Sequence, residues 1–202
     1  MLKLIVLTVI LLLAAVLFIA ARRPDSFRVQ RKLRIKAAPE KIFPFINDLR
    51  IWGAWSPYEK LDPAMRRTFS GAAGGQGAVY AWEGNRKVGS GRLEIIDATE
   101  PSRVVLELDI VSPCEGSNLV EFTLQPEGDA TEVNWEMDGP MSYFGKLMSV
   151  FVDMDKLIGR QFESGLANLR ALVEQSASLR AGSKFAARAT DRVETPSHGL
   201  RA

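Results

Sequence analysis

The sequence predicts an α+β protein: a curved antiparallel sheet of about seven strands wrapped on one long C-terminal helix, with a single transmembrane helix in front. Three observations carry this. Leu4 to Ala21 is an unbroken apolar run. From Phe27, and again from Met65 onward, apolar residues alternate with polar ones at a period of two. From Phe144 onward they recur every three or four residues.

The apolar run, LIVLTVILLLAAVLFIAA, contains no charge, and Thr8 is its only polar side chain. As a helix it spans roughly 27 Å, close to the hydrocarbon thickness of a bilayer. A secretory leader has a shorter apolar core, roughly 7–15 residues, and a small-x-small cleavage site. Cutting after Ala21 would leave Ile19 where a small residue is wanted and Arg22-Arg23 just beyond. An uncleaved single-pass anchor is the expectation, with export after cleavage as the alternative. Lys3 precedes the run, whereas Arg22, Arg23, Arg28, Arg31, Lys32, Arg34 and Lys36 follow it against the single acid Asp25. That asymmetry predicts a cytoplasmic main domain.

Charge divides the chain further. The overall net charge is +2, yet residues 37–175 hold 13 basic and 21 acidic side chains. The excess of positive charge lies in 22–36 and in the tail, 176–202. An acidic folded part argues against nucleic acid as a partner. The basic flanks suit an anionic leaflet or simply set topology. Residues 1–26 read as anchor and basic flank, 27–175 as one domain, and 176–202, which lacks an apolar period, as a disordered tail.

Chemistry is bounded by scarcity. The one cysteine, Cys114, excludes an intramolecular disulfide. The one histidine, His198, lies in the tail, so no Ser-His-Asp triad, Cys-His pair or histidine-rich zinc site can form in the domain. No metal and no cofactor is expected. Catalysis, if any, falls to carboxylates, Tyr, Lys or Arg.

Phe27, Val29, Leu33 and Ile35 alternate with charges, with a slip at Gln30 to Lys32, which predicts a first strand with a bulge. Pro39 and Glu40 open a short helix whose apolar face is Ile42, Phe43 and Ile46, and Pro44 keeps it short. A second short helix or turn carries Leu49, Ile51, Trp52 and Trp55, and Ser56-Pro57 stops it. Six strands follow, at 65–70, 78–83, 87–98, 103–112, 118–125 and 132–138, separated by turn-rich segments. Gly84-Asn85 reads as a tight hairpin turn. Short connections imply an antiparallel meander. The closing helix runs from Phe144 to Val173 and is expected to kink near Val152-Asp153. A lone helix cannot fill a curved sheet, so an apolar cavity is expected between them.

This order resembles the START-like helix-grip superfamily, specifically its polyketide cyclase/dehydrase branch (SRPBCC). The residues that carry the resemblance are AAPEKIFPFINDLRIWGAWSPYEKLDP (37–63), GAVYAWEGNRKVGSGRLEI (77–95), VNWEMDG (133–139) and MDKLIGRQFESGLANLRALVE (154–174). The first block is the most specific. The resemblance implies a hydrophobic tunnel and ligands such as lipids, sterols or polyketides. It does not imply one activity, because members include cyclases, dehydratases and lipid carriers.

The resemblance places Trp52, Trp55 and Tyr58 at the cavity mouth, where aromatic rings gate entry or stack on a ligand. The competing reading is plain packing on the sheet. Tyr80 and Trp82 share one strand face, and Val133, Trp135 and Met137 share another. Phe144, Met148 and Phe151 would form the helix side of the cavity, or simply core. Arg67, Glu83, Arg92 and Glu121 are the candidates for chemistry. An inward carboxylate would have a raised pKa and serve as acid or base; otherwise these residues pair across strands. The GAAGGQG loop (71–77) lacks a GK[ST] ending and a following helix, so it is a hairpin loop and no phosphate cradle. The leading expectation is a membrane-anchored binding module for a small hydrophobic ligand. The alternatives are a cyclase or dehydratase using cavity acids, and a structural or chaperone-like membrane protein.

Overall fold

The computed structural model describes residues 1–113 and 115–191, with residues 178–191 described by their backbone alone. Cys114, His198 and the final part of the tail therefore lie outside the described residues.

The first helix, α1 (Leu2–Ala21), is long and apolar enough to cross a membrane, and nearly all of it is exposed. The chain then enters β1 (Ser26–Ile35) and α2 (Pro39–Asn47). Pro39 sits in the first turn of α2, where its missing N–H costs nothing. Ile42, Phe43 and Ile46 are buried, as their spacing predicts. Two 3-10 turns follow, Leu49–Ala54 and Pro57–Lys60.

Six strands then form a meander: β2 (Arg66–Gly71), β3 (Ala78–Glu83), β4 (Ser90–Thr99), β5 (Arg103–Ser112), β6 (Gly116–Glu127) and β7 (Ala130–Pro140). The spatial order is β1-β7-β6-β5-β4-β3-β2, antiparallel throughout. One end of the sheet therefore gathers the start of β1, the end of β7 and the loops β3–β4 and β5–β6. The predicted tight turn at Gly84-Asn85 is instead a wider loop, 84–89, closed by the Gly84 amide on the Gly89 carbonyl at 2.9 Å. Gly89 takes a positive φ of 66°, so β4 starts only after it.

The predicted helix over 144–173 is two helices, α3 (Tyr143–Phe151) and α4 (Met154–Asp191). The break falls at Val152-Asp153, where the kink was expected; Val152 is extended and Asp153 accepts from the Lys156 amide at 3.1 Å. Backbone helix continues past Glu174, where the apolar period ends and a disordered tail was expected. Alanines in that stretch favour helix without supplying a face to bury.

α4 lies over β1 and β7 and buries Phe162, Leu166, Leu169 and Val173. Seven strands at about 4.8 Å spacing make a sheet near 29 Å wide, whereas a helix with side chains is about 10 Å across. Coverage of the remaining strands falls to α2 and the 3-10 turns, and a gap is left.

The expected bulge in β1 is absent: Ser26 to Ile35 pair with Pro140 to Thr131 without a shift. The apparent slip is Arg31 taking the inward slot between Val29 and Leu33. It reaches α4, where its Nε donates to Glu163 Oε1 at 2.7 Å and its terminal nitrogens to Asp155 Oδ1 and Oδ2 at 3.0 and 2.9 Å. Two further bonds go to the carbonyls of Gln30 at 2.8 Å and Asp155 at 3.1 Å. All five guanidinium N–H groups are thus engaged. The paired carboxylates hold Arg31 above its usual range, and Arg31 holds Asp155 below the usual carboxylate value. Gly159, between those two acids, leaves the room: a Cβ there would fall 1.9 Å from an Arg31 nitrogen.

Candidate functional site

The gap is a cavity of about 320 Å³, near the lower end of the volumes that hold small ligands, roughly 300–1,000 Å³. Its sheet wall is the inner face of β3 to β7: Tyr80 and Trp82, Leu93, Leu108 and Ile110, Val120, then Trp135 and Met137. Ile158 and Phe162 of α4 form the opposite wall. Trp52, Tyr58, Leu61 and Met65 close the side, and Lys87, Ser112 and Pro113 lie at the rim. The exposed members of the lining are Tyr58, Leu61, Lys87, Ser112 and Pro113, so the opening lies between the Pro57–Lys60 turn and the β3–β4 and β5–β6 loops.

Of the residues singled out by sequence, Trp52, Tyr58, Tyr80, Trp82, Trp135 and Met137 line the cavity. Trp55 does not. It is fully buried between Trp52, Phe122 and Trp135. Trp52 and Trp55 also have a structural task. Their ring nitrogens donate to the carbonyls of Ile46 and Phe45, both at 2.9 Å, satisfying groups that the end of α2 leaves open. Phe144, Met148 and Phe151 lie away from the cavity, on α3, and are exposed. The reason is the break after Phe151: α3 packs against α1 and only α4 crosses the sheet.

The chemistry candidates separate in the same way. Glu83 pairs with Arg66, Arg92 with Glu94 and, at 3.8 Å, Asp109, and Glu121 with Arg103 at 2.9 Å. These are cross-strand or neighbouring pairs away from the cavity. Arg67 points inward on the Tyr80 side. Its Nε donates to Glu59 Oε2 at 2.7 Å, while the Tyr80 hydroxyl donates to Glu59 Oε1 at 2.5 Å. Glu59, which lines the cavity, carries no sequence signal beyond its place beside Tyr58 and was missed. Its side chain is nearly buried, and each oxygen has a partner. The cavity thus has one polar corner in an otherwise apolar wall.

Burial raises the Tyr80 phenol, and its bond to Glu59 raises it further; the Glu59 carboxylate also raises Arg67. Tyr58 is 38% exposed as a residue. Its phenol nevertheless sits in apolar surroundings, and desolvation pushes it up to about 12. Both phenols therefore keep their protons where the unfolded chain, near pH 10, loses them. The stability they contribute is fully present below about pH 10 and is lost as pH rises. A spectrophotometric tyrosinate titration is expected to show folded protein lagging behind urea-unfolded protein, with Tyr80→Phe removing part of the lag. Coincident curves would contradict the buried placement.

Trp135 is 3% exposed and stacked on Phe162, with centroids 4.1 Å apart and rings 8° from parallel. Among the described residues its Nε1–H has no hydrogen-bond partner. A buried donor left unpaired costs about 1–3 kcal/mol. Gly165 of α4 permits the close approach, since a Cβ there would fall 2.6 Å from the Trp135 ring. Among the described residues no group of acids, histidines or cysteines could hold a metal ion.

A long helix gripped by a seven-stranded antiparallel sheet, with an apolar cavity between them, defines a helix-grip, START-like protein. The family model described as polyketide cyclase / dehydrase and lipid transport matches residues 26–174, and the chain belongs to that family. No curated protein matches the chain significantly. Solved structures of the same fold include protein CV1439 from Chromobacterium violaceum, with 14% identity, TM-score 0.52, and coverage of 75% of this chain and 99% of that one. Protein SA2116 from Staphylococcus aureus, described as of unknown function, has 11% identity and TM-score 0.54, covering 76% and 98%. The ginseng major latex-like protein 151 from Panax ginseng has 14% identity and TM-score 0.51, covering 73% and 97%. At such identities the likeness is one of fold.

Proposed function

We propose that the protein is a membrane-tethered binding module for a small hydrophobic ligand with one polar end, a lipid or polyketide-like molecule held between sheet and α4. The observation that carries this reading is the cavity itself, apolar on most sides with one polar corner where Glu59 meets Tyr80 and Arg67. A polar group on a ligand would meet that corner, and the apolar body would bury surface at about 25 cal/mol per Å². The tether is α1, with its cytoplasmic basic flank at Arg22 and Arg23.

Mass spectrometry of molecules retained by the full chain after detergent extraction tests this. The expected result is a stoichiometric apolar molecule with an oxygen function. Purified chain that retains nothing, and accepts nothing from a total lipid extract of its host, would end the reading. A second reading has one specific observation in its favour. The Glu59–Tyr80 pair puts a carboxylate and a phenol on one cavity wall, where a cyclase or dehydratase needs a proton acceptor and donor. Glu59→Gln separates the two: a binder keeps its ligand unchanged, whereas an enzyme accumulates an unconverted one.

A further inference from the structure

Beyond α1, the large apolar residues exposed by more than half are not scattered among the described residues. Val111, Tyr143, Phe144, Phe151 and Leu157 are between 54% and 70% exposed. All five lie at one end of the sheet, at the C-terminal end of β5, along α3 and in the first turn of α4. It is the end from which α1 departs. Exposed apolar patches of this kind mark a surface that another phase covers.

α3 is fastened to α1. Ala20 is fully buried. The Tyr143 hydroxyl reaches the Leu17 carbonyl at 3.5 Å, Arg23 reaches the Ser149 carbonyl at 3.5 Å, and the Met141 amide donates to the Asp25 carbonyl at 2.7 Å. Lys146, on the buried side of α3, is paired with Asp25. Leu17 lies four residues before the end of α1, which is about 6 Å along the helix axis. If α1 crosses a bilayer, a helix that touches Leu17 lies at the depth where headgroups meet acyl chains. Arg22, at the end of α1, stacks over Phe18 at 4.9 Å, as a snorkelling residue does at that depth. Arg22, Arg23, Arg86 and Lys87 are exposed at the same end.

We infer that α3 is an interfacial helix: its Phe144 and Phe151 face, with Val111 and Leu157, sits in the surface of the bilayer that α1 spans, so the cavity opens at that surface. This rests on the tethered reading above. The cavity rim supports it, because Lys87, Ser112 and Pro113 come from the two loops at this same end. An amphipathic helix in this position buries its apolar face by about 5–10 Å. A ligand would then pass from leaflet to cavity without crossing bulk water, which explains how a tethered module with no diffusive freedom is loaded.

Nitroxide labels on the full chain in lipid nanodiscs test the geometry. In a Cys114→Ser background, single labels go on Ile10→Cys in α1, Phe144→Cys and Phe151→Cys in α3, and Asp129→Cys at the opposite sheet end. Oxygen and a water-soluble nickel chelate report depth. The expected result is Ile10 in hydrocarbon, Asp129 in water, and both α3 labels severalfold richer in oxygen collisions than Asp129. Ile10 in hydrocarbon with both α3 labels as aqueous as Asp129 overturns the interfacial helix and leaves the tether standing. An aqueous Ile10 label, or mature chains beginning at Arg22, overturns both.

Discussion

Phe162→Ala is expected to cost about 3–5 kcal/mol of folding stability, the range for removing a buried aromatic ring. Phe162 is 1% exposed and carries the stacked contact by which α4 meets Trp135. Its loss does more than empty one site. The vacated volume joins the existing cavity, because Phe162 is part of that wall. Collapse of the walls is opposed by Trp135, which Phe122 and Trp55 hold from other directions. The void therefore stays open, and the penalty falls toward the upper part of the range. Whole-domain stabilities are only about 5–15 kcal/mol, so the variant is left marginal. Urea unfolding of the full chain, followed by tryptophan emission, measures the change. A loss below about 1 kcal/mol would mean that α4 is not seated on the sheet as described.

Leu108→Trp is expected to abolish retention of the cavity ligand while leaving the fold intact. Leu108 projects from the middle of β5 into the cavity, between Leu93 and Ile110, and is only partly buried. An indole there grows into open space. Blocking about 100 Å² of apolar contact removes about 2.5 kcal/mol, or more than fiftyfold in affinity. The readout is the amount of co-purifying molecule per chain. It also distinguishes cavity ligand from annular lipid, since lipid clinging to α1 is unaffected by a change in β5. Equal recovery from variant and parent would place the bound molecule outside the cavity.

The fold was largely legible because its signals are local. Period-two runs broken by Gly, Pro, Asn and Ser mark strands whatever their partners, and Phe162, Leu166, Leu169 and Val173 state the helix face outright. The site was legible where side-chain direction follows from strand parity. Tyr80 with Trp82, and Trp135 with Met137, share faces for that reason. Helix faces are less explicit. Phe144, Met148 and Phe151 keep the right spacing, yet spacing cannot say whether an apolar face meets the sheet or leaves it. The break at Val152-Asp153 decided that, and it turned the three outward. Arg31 shows the converse. A charge in an inward slot resembled a bulge, because its partners Asp155 and Glu163 lie more than a hundred residues further on. Glu59 gave no signal for a related reason: its meaning comes from Arg67 and Tyr80, which only the folded chain brings to it.

The Arg31 socket has a mechanical consequence. A guanidinium tied by five bonds to β1 and the first turns of α4 acts as a rivet near one end of the closing helix. Swinging α4 away from the sheet would shear the four bonds to Asp155 and Glu163 together. On the proposed binding function, a ligand would enter at the far side of the gap, between the Pro57–Lys60 turn and the 84–89 loop, while the riveted beam stays still.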